Sequence, residues 1–375
     1  MGFWGWGMNL HYLSLAKIDV PSLIRYPSRQ SPQQAPHHTS TYHLATLFSI
    51  PLVISLLLFW TITRGSAELV KSWEILPQSY LFLFVVLLLL PFHRLSRAGR
   101  QRFRIALQRI SLGGLAEAQD GKFGDILLAD ALTSYSKVLA ELFVSLCMFF
   151  SHDVSSTGKP NRHCGGGLVV PLIVAIPSMI RLRQCLIEFG RVRQMGSRDD
   201  GWGGQHLANA LKYATAFPGI IFTALEWNYN LKGAGSLSEV TVSRLWVLFC
   251  FINSSYSLYW DITKDWDLNL FSADRNSPEY PFGLRQYRCF YNSNIYYGAI
   301  VVDLILRFTW LTRLSPRLDK LNNTESGIFA LMLLEVARRW MWIFLRVETE
   351  WVRSNRGPAP DDILLGEFNG KLDDD

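Results

Sequence analysis

Apolar stretches separated by short basic connectors run the length of the chain, and eight of them are long enough to cross a bilayer as helices. They fall at 44–62, 75–92, 126–150, 168–187, from 205 onward (QHLANALKYATAFPGIIF), 242–266, 296–311 (YYGAIVVDLILRFTWL) and 328–346. The pattern predicts an all-α fold: a polytopic helical membrane bundle of about eight transmembrane helices. Residues 1–43 are aromatic and glycine-rich, then proline-rich. Too polar to span, they read as a cytosolic lead-in with Trp4 and Trp6 at the membrane interface. Residues 44–93 carry the first two helices, 94–125 a basic cytosolic connector, 126–352 the other six helices, and 353–375 an acidic cytosolic tail.

Charge orients this pattern. Basic clusters at Arg25/Arg29, 94–109, Arg191/Arg193/Arg198, Arg285/Arg288 and Arg353/Arg356 fall on one side of an eight-span chain, so both termini are expected in the cytosol. Topology thus accounts for the net charge of +6, and no exposed basic domain or motif suggests nucleic acid. Half the chain is hydrophobic (49%) with mean hydropathy +0.13, as a bundle with charges inside its spans requires. The five cysteines, Cys147, Cys164, Cys185, Cys250 and Cys289, show no C-x-x-C spacing and are expected as packing residues, neither a disulfide framework nor a metal site. Asn322-Asn323-Thr324 is an N-glycosylation pattern in a connector expected in the lumen, whereas Asn253-Ser254-Ser255 lies inside a span.

The last span, IFALMLLEVARRWMWIFLR, carries Glu335, Arg338 and Arg339 near its middle. An arginine at that depth costs roughly 2.5–3.5 kcal/mol even on the lenient insertion scale, so these residues must face a polar cavity or one another. Glu335, Arg339, Trp342 and Arg346 share a helical stripe with Arg338 on its flank; Arg346, at the end, is expected to snorkel. Four other spans add Asp130, Lys212, Asp261 with Asp265, and Asp303 with Arg307. Each could be a structural pair; together they predict a shared polar interior. Arginine holds a tetrahedral oxyanion through its planar fork, and competing carboxylates keep such a site from becoming a trap. Enzyme signatures are missing from the sequence, and His206 at the membrane edge has no partnered nucleophile, so no catalytic residue, metal or cofactor is expected.

Seven ordered motifs between residues 2 and 352 carry a resemblance: GWGMNLHYL, GDILLADALTS, IPSMIRLRQCL, HLANALKYATAFP, YSLYWDITKDWDL, DLILRFTW and LEVARRWMWIFLRVETEW. Together they resemble the EXS domain, the membrane module of phosphate exporters of the xenotropic and polytropic retrovirus receptor, PHO and SYG types. The nearest likeness is to the short EXS-only fungal proteins of the ER-retention-defective type. That resemblance implies phosphate contacts at Arg307, Arg338, Arg339, Lys212 and Tyr213, acidic partners at Asp130, Asp261, Asp303 and Glu335, a pathway residue at Arg181 and a gate-like aromatic at Trp310. It further implies a Golgi membrane protein that returns phosphate to the cytosol and supports glycosylation and protein retention. Implied partners are inorganic phosphate, membrane lipids, glycosyltransferases or coat adaptors, and a second copy of the chain. Two departures stand out. Ile187, Glu188 and Phe189 replace the arginines that usually follow Gln-Cys-Leu, and no SPX domain accompanies the motifs, so regulation by inositol pyrophosphates is not expected. The GWG motif, preceded in long relatives by further membrane segments, begins here at residue 2, so either a reduced bundle or a truncated gene model is expected. The rival readings are a sorting scaffold and an intramembrane enzyme acting on a phosphorylated lipid.

Overall fold

The computed structural model describes residues 1–26, 36–89, 97–112, 114–150, 161, 162, 164, 167–195, 202–232, 238–273, 275–290 and 292–356. Arg29 and the proline-rich part of the lead-in, Arg94, Arg198 and the acidic tail beyond Arg356 lie outside these residues. Among the described residues every expected span falls mainly on helix; positions 90–92 of the second lie outside them. The first is α3 (His37–Thr63), after α1 (Gly2–Leu15) and α2 (Val20–Leu23). The second is α4 (Ala67–Trp73) with α5 (Ile75–Leu89), followed by the basic helix α6 (Arg97–Ser111). Next come α7 (Lys122–Ser134) with α8 (Ser136–Phe150), and α9 (Val169–Met195). The remainder are α10 (Gly204–Ala214) with α11 (Ala216–Lys232), α12 (Glu239–Trp260), α13 (Asn294–Arg307), the short α14 (Lys320–Asn323) and α15 (Glu325–Arg356).

Length and composition set a stricter count than eight. Four helical stretches among the described residues, 37–63, 67–86, 169–194 and 294–314, are long and apolar enough to cross a membrane, and the bent pair α7–α8 makes a fifth. The α10–α11 pair, α12 and α15 fall short. Their polar residues supply much of the bundle's charged interior, so the feature that lowers their hydropathy is the one that marks them.

The aromatic lead-in is part of the bundle. On α1, Gly7 lies where a Cβ would stand 2.7 Å from the Tyr42 ring of α3, and a Cβ on Gly5 would stand 3.0 Å from the Trp340 ring of α15. Glycine at these positions lets α1 lie against both helices. Trp4 donates its indole N–H to Ser49 on α3 at 2.9 Å instead of serving as a free interfacial anchor.

Two polar clamps hold the ends of the bundle. At one end Glu348, fully buried on α15, accepts from Arg285 (2.7 Å), the Cys289 N–H (2.5 Å) and the Tyr296 hydroxyl, and so fixes the 267–293 connector onto α15. Around it pack Leu13, Ile18, Phe123, Trp266, Trp342 and Val347, the largest apolar core. At the other end Cys147 and Cys164 form a disulfide, with Cα atoms 6.0 Å apart. This corrects the reading of all five cysteines as packing residues. The pair is 17 positions apart across a helix–helix connector, a spacing with no signature, and only the folding back of α9 against α8 brings the thiols together. Arg162, beside this bridge, reaches Glu141 on α8 (3.0 Å) and forks onto Glu325 at the start of α15 (3.0 and 2.7 Å). The hydrogen bonds to Glu325 raise its pKa above the usual arginine value, so it stays charged.

Candidate functional site: a charged layer at the helix breaks

Four elements of the bundle lose regular helical geometry, and the site is built where they do. The α7–α8 pair bends by 62° at Tyr135. Just before the bend the Thr133 hydroxyl donates to the Asp130 carbonyl at 2.7 Å, a back-bond that competes with the helical ladder. The α10–α11 pair breaks at Thr215, whose hydroxyl donates to the Lys212 carbonyl at 2.7 Å and accepts from the Asn253 amide. After α12, residues Asp261–Asp265 form a π-turn closed by Trp266 N–H to the Asp261 carbonyl at 2.8 Å. Beyond α13, Thr309–Leu314 tightens into a 3-10 turn. Interrupted helices are tolerated at membrane depth where other protein groups satisfy the freed backbone or a cavity is lined.

Cations and carboxylates gather at these breaks. Arg181 on α9 donates through Nε to Asp130 (2.7 Å) and to the Tyr213 hydroxyl (3.1 Å), and through Nη1 to Gln184 Oε1 (2.6 Å). The Tyr213 hydroxyl itself donates to Asp130. Lys212, buried at the end of α10, bridges Asp261 (2.9 Å) and Asp265 (3.2 Å), and so does not snorkel. Arg307 pairs with Asp261 and, one turn back, with Asp303 at 3.2 Å. Arg338 uses every arm: Nε and Nη2 on Glu335 (2.9 and 2.7 Å) and Nη1 on Asp303 (2.9 Å). Arg346 is also internal, paired with Glu350 at 2.9 Å and 12% exposed, which corrects the expectation that it snorkels.

Arg339 differs from the rest. It is buried, lies over the Trp342 ring at 4.5 Å, and donates only to hydroxyls: Nε to Ser134 and Nη2 to Thr133, each at 3.0 Å. No carboxylate lies within ion-pair distance of it among the described residues, and its Nη1 has no acceptor among them. Next to it, Ser134 donates to Glu335 at 2.6 Å, and the Glu335 side chain is 36% exposed although Asp261 and Asp303 are fully buried. Counting Arg181, Lys212, Arg307, Arg338 and Arg339 against Asp130, Asp261, Asp265, Asp303 and Glu335, the layer is electrically balanced, and the Arg339 Nη1 is a buried guanidinium nitrogen with no acceptor among the described residues.

The chain matches the EXS family over residues 1–352. It belongs to the EXS family. It is 31% identical to Protein ERD1 homolog 1 of Schizosaccharomyces pombe over 360 residues, 94% of this chain and 88% of that protein. Protein ERD1 of Kluyveromyces lactis is 34% identical over 248 residues, 63% of this chain and 61% of the relative. Solute carrier family 53 member 1 of Homo sapiens is 33% identical over 261 residues, 66% of this chain but only 35% of that protein.

Within this EXS chain the charged residues singled out from sequence lie in one layer; Asp303–Arg307 pair at i,i+4 as their spacing suggests, but Glu335 and Arg339, at the same spacing, do not. Glu335 grips Arg338 at i+3, leaving Arg339 at i+4 to cross to α7. Trp310 lies at the edge, donating to Ser254 at 3.0 Å and meeting Trp246 edge to face at 5.9 Å. Asn322 is on α14, its amide 3.3 Å from the Thr312 hydroxyl. Glu188, one of the departures from the usual motif, is buried and contacts the partly exposed Lys122 (2.6 Å) and His206 (3.4 Å). Sequence reasoning did not assign Thr133, Ser134 and Gln184 to the site. The hydroxyl pair was legible in GDILLADALTS, but nothing local says that Arg339, over 200 positions on, is its partner.

Proposed function

We propose that this protein carries inorganic phosphate from the Golgi lumen to the cytosol through the charged layer, without making or breaking a covalent bond. The observation that carries the reading is Arg339: a buried guanidinium with hydroxyl partners and an open arm is poised to accept an oxyanion, whereas its neighbours are already satisfied by carboxylates. Helix breaks at the same level agree with a translocation site, and the carboxylates allow release by competing for the cations. The likeness to a protein named as a solute carrier supports transport, and the EXS motifs supply phosphate as the solute. Likeness to ERD1 proteins supports the compartment and a role in retaining ER and Golgi residents, with glycosyltransferases or coat adaptors, surrounding lipids and a second copy of the chain as partners. Disulfides persist in oxidising compartments, so Cys147–Cys164 supports a lumenal reading of its end of the bundle. Through Arg162–Glu325 the start of α15, next to Asn322, shares that end. The Lys122–Glu188–His206 end and the last turn of α15 then face the cytosol, whereas Gly2, against Tyr135 at the α7–α8 bend, lies at the level of the charged layer.

The test is phosphate flux into vesicles containing the purified protein, compared with empty vesicles and with Arg339→Gln. Flux above the empty control that falls in the variant is expected. A wild-type protein that passes no phosphate while still supporting retention in cells would refute transport and leave a sorting scaffold.

A further inference from the structure

The buried layer holds a further polar donor without an acceptor among the described residues, and it is uncharged. Gln184 on α9 is 1% exposed, and its Oε1 accepts the Arg181 Nη1 bond at 2.6 Å. Guanidinium has donors only, so the amide cannot be turned over without setting NH2 against N–H. Arg181 therefore dictates that the Gln184 NH2 group is the one that remains, and it has no acceptor among the described residues. A buried donor in that condition is costly unless something transient pairs with it.

Its position gives that something a direction. Along α9, Arg181, Gln184 and Glu188 follow one another at about one helical turn, roughly 5 Å, from the disulfide-linked end toward the Lys122–Glu188–His206 triad. Cationic donors give way to a neutral amide and then to a carboxylate. We infer that the Gln184 amide is a further, neutral ligand for the transported oxyanion, the station at which it leaves Arg181 and before it meets Glu188. This rests on the transport reading above. A neutral donor holds a dianion less tightly than a guanidinium and so favours exit, where another arginine would retain it.

The two possible roles of Gln184, acceptor for Arg181 and donor to the anion, separate by substitution. Gln184→Glu keeps an acceptor for Arg181 and removes the donor; Gln184→Met removes both without adding charge. Uptake of labelled inorganic phosphate by vesicles containing the full chain is measured for wild type, both variants and Arg339→Gln, with melting temperatures in detergent. The expected result is a KM raised about tenfold or more in both Gln184 variants, with melting within about 2 °C of wild type for Gln184→Glu, as for one lost hydrogen bond to an ion. Wild-type KM in Gln184→Glu would mean that the amide only holds Arg181, and wild-type KM in Gln184→Met would mean that only added charge matters. Either result overturns the inference. If wild type itself carries no phosphate, the transport reading falls first; if it does and both variants match it, only the role of Gln184 falls.

Discussion

Arg338 and Arg339 are sequence neighbours on one helix, yet removing each charge should have opposite consequences. In Arg338→Gln, Glu335 loses a bidentate partner and Asp303, fully buried, loses one of its two cations. Leaving buried carboxylates uncompensated costs about 3–5 kcal/mol. Glu335 is partly exposed and Asp303 keeps Arg307, so the lower figure applies: about 3 kcal/mol, or roughly 4 °C in melting temperature for a chain of this length. In Arg339→Gln no carboxylate loses a partner. Ser134 still donates to Glu335 and Thr133 to the Asp130 carbonyl, so the expected stability change is within about 1 kcal/mol. Transport should follow the reverse order, with phosphate flux falling at least tenfold in the still-folded Arg339→Gln because the uncommitted arm is gone. Melting curves in detergent and vesicle flux on the same preparations check both halves. Equal destabilisation by the two substitutions would show Arg339 to be a structural cation and refute the argument for an open arm.

Tyr213→Phe removes a hydroxyl that donates to Asp130 and accepts from Arg181, and should lower stability by about 1–2 kcal/mol, read as a melting shift of a degree or two. Glu348→Gln replaces the carboxylate that gathers Arg285, the Cys289 N–H and the Tyr296 hydroxyl in the core, and should cost about 3 kcal/mol or more, seen as poor folded yield in size-exclusion profiles. Cys147→Ser should lower stability by about 2–4 kcal/mol, and mass spectrometry of alkylated wild-type protein should find Cys147 and Cys164 protected until a reductant is added. Labelling both thiols without reductant would refute the bridge.

The helical membrane class was legible because spans announce themselves through local hydropathy, and each expected span coincides mainly with helix among the described residues. The intramembrane charges were legible for the same reason: an arginine or aspartate among leucines is conspicuous without knowing its neighbour. The neighbours were not. That Glu335 pairs with Arg338, that Arg339 reaches hydroxyls on α7, and that Cys147 meets Cys164 depends on helices folding back on one another. The lead-in reads as peripheral from sequence because it is glycine-rich, then proline-rich, and too polar to span. Gly5 and Gly7 in fact mark where α1 closes on α15 and α3.

What the sequence determined by itself is therefore the solvent each stretch prefers and the set of charges that must find partners inside the bundle, since both follow from the cost of transferring one side chain at a time. Which cation is neutralised and which keeps a free arm was decided only by the tertiary structure. Ion pairing and hydrogen bonding depend on distances of a few ångströms between residues up to 206 positions apart, and such distances exist only once the helices have packed and broken where they do.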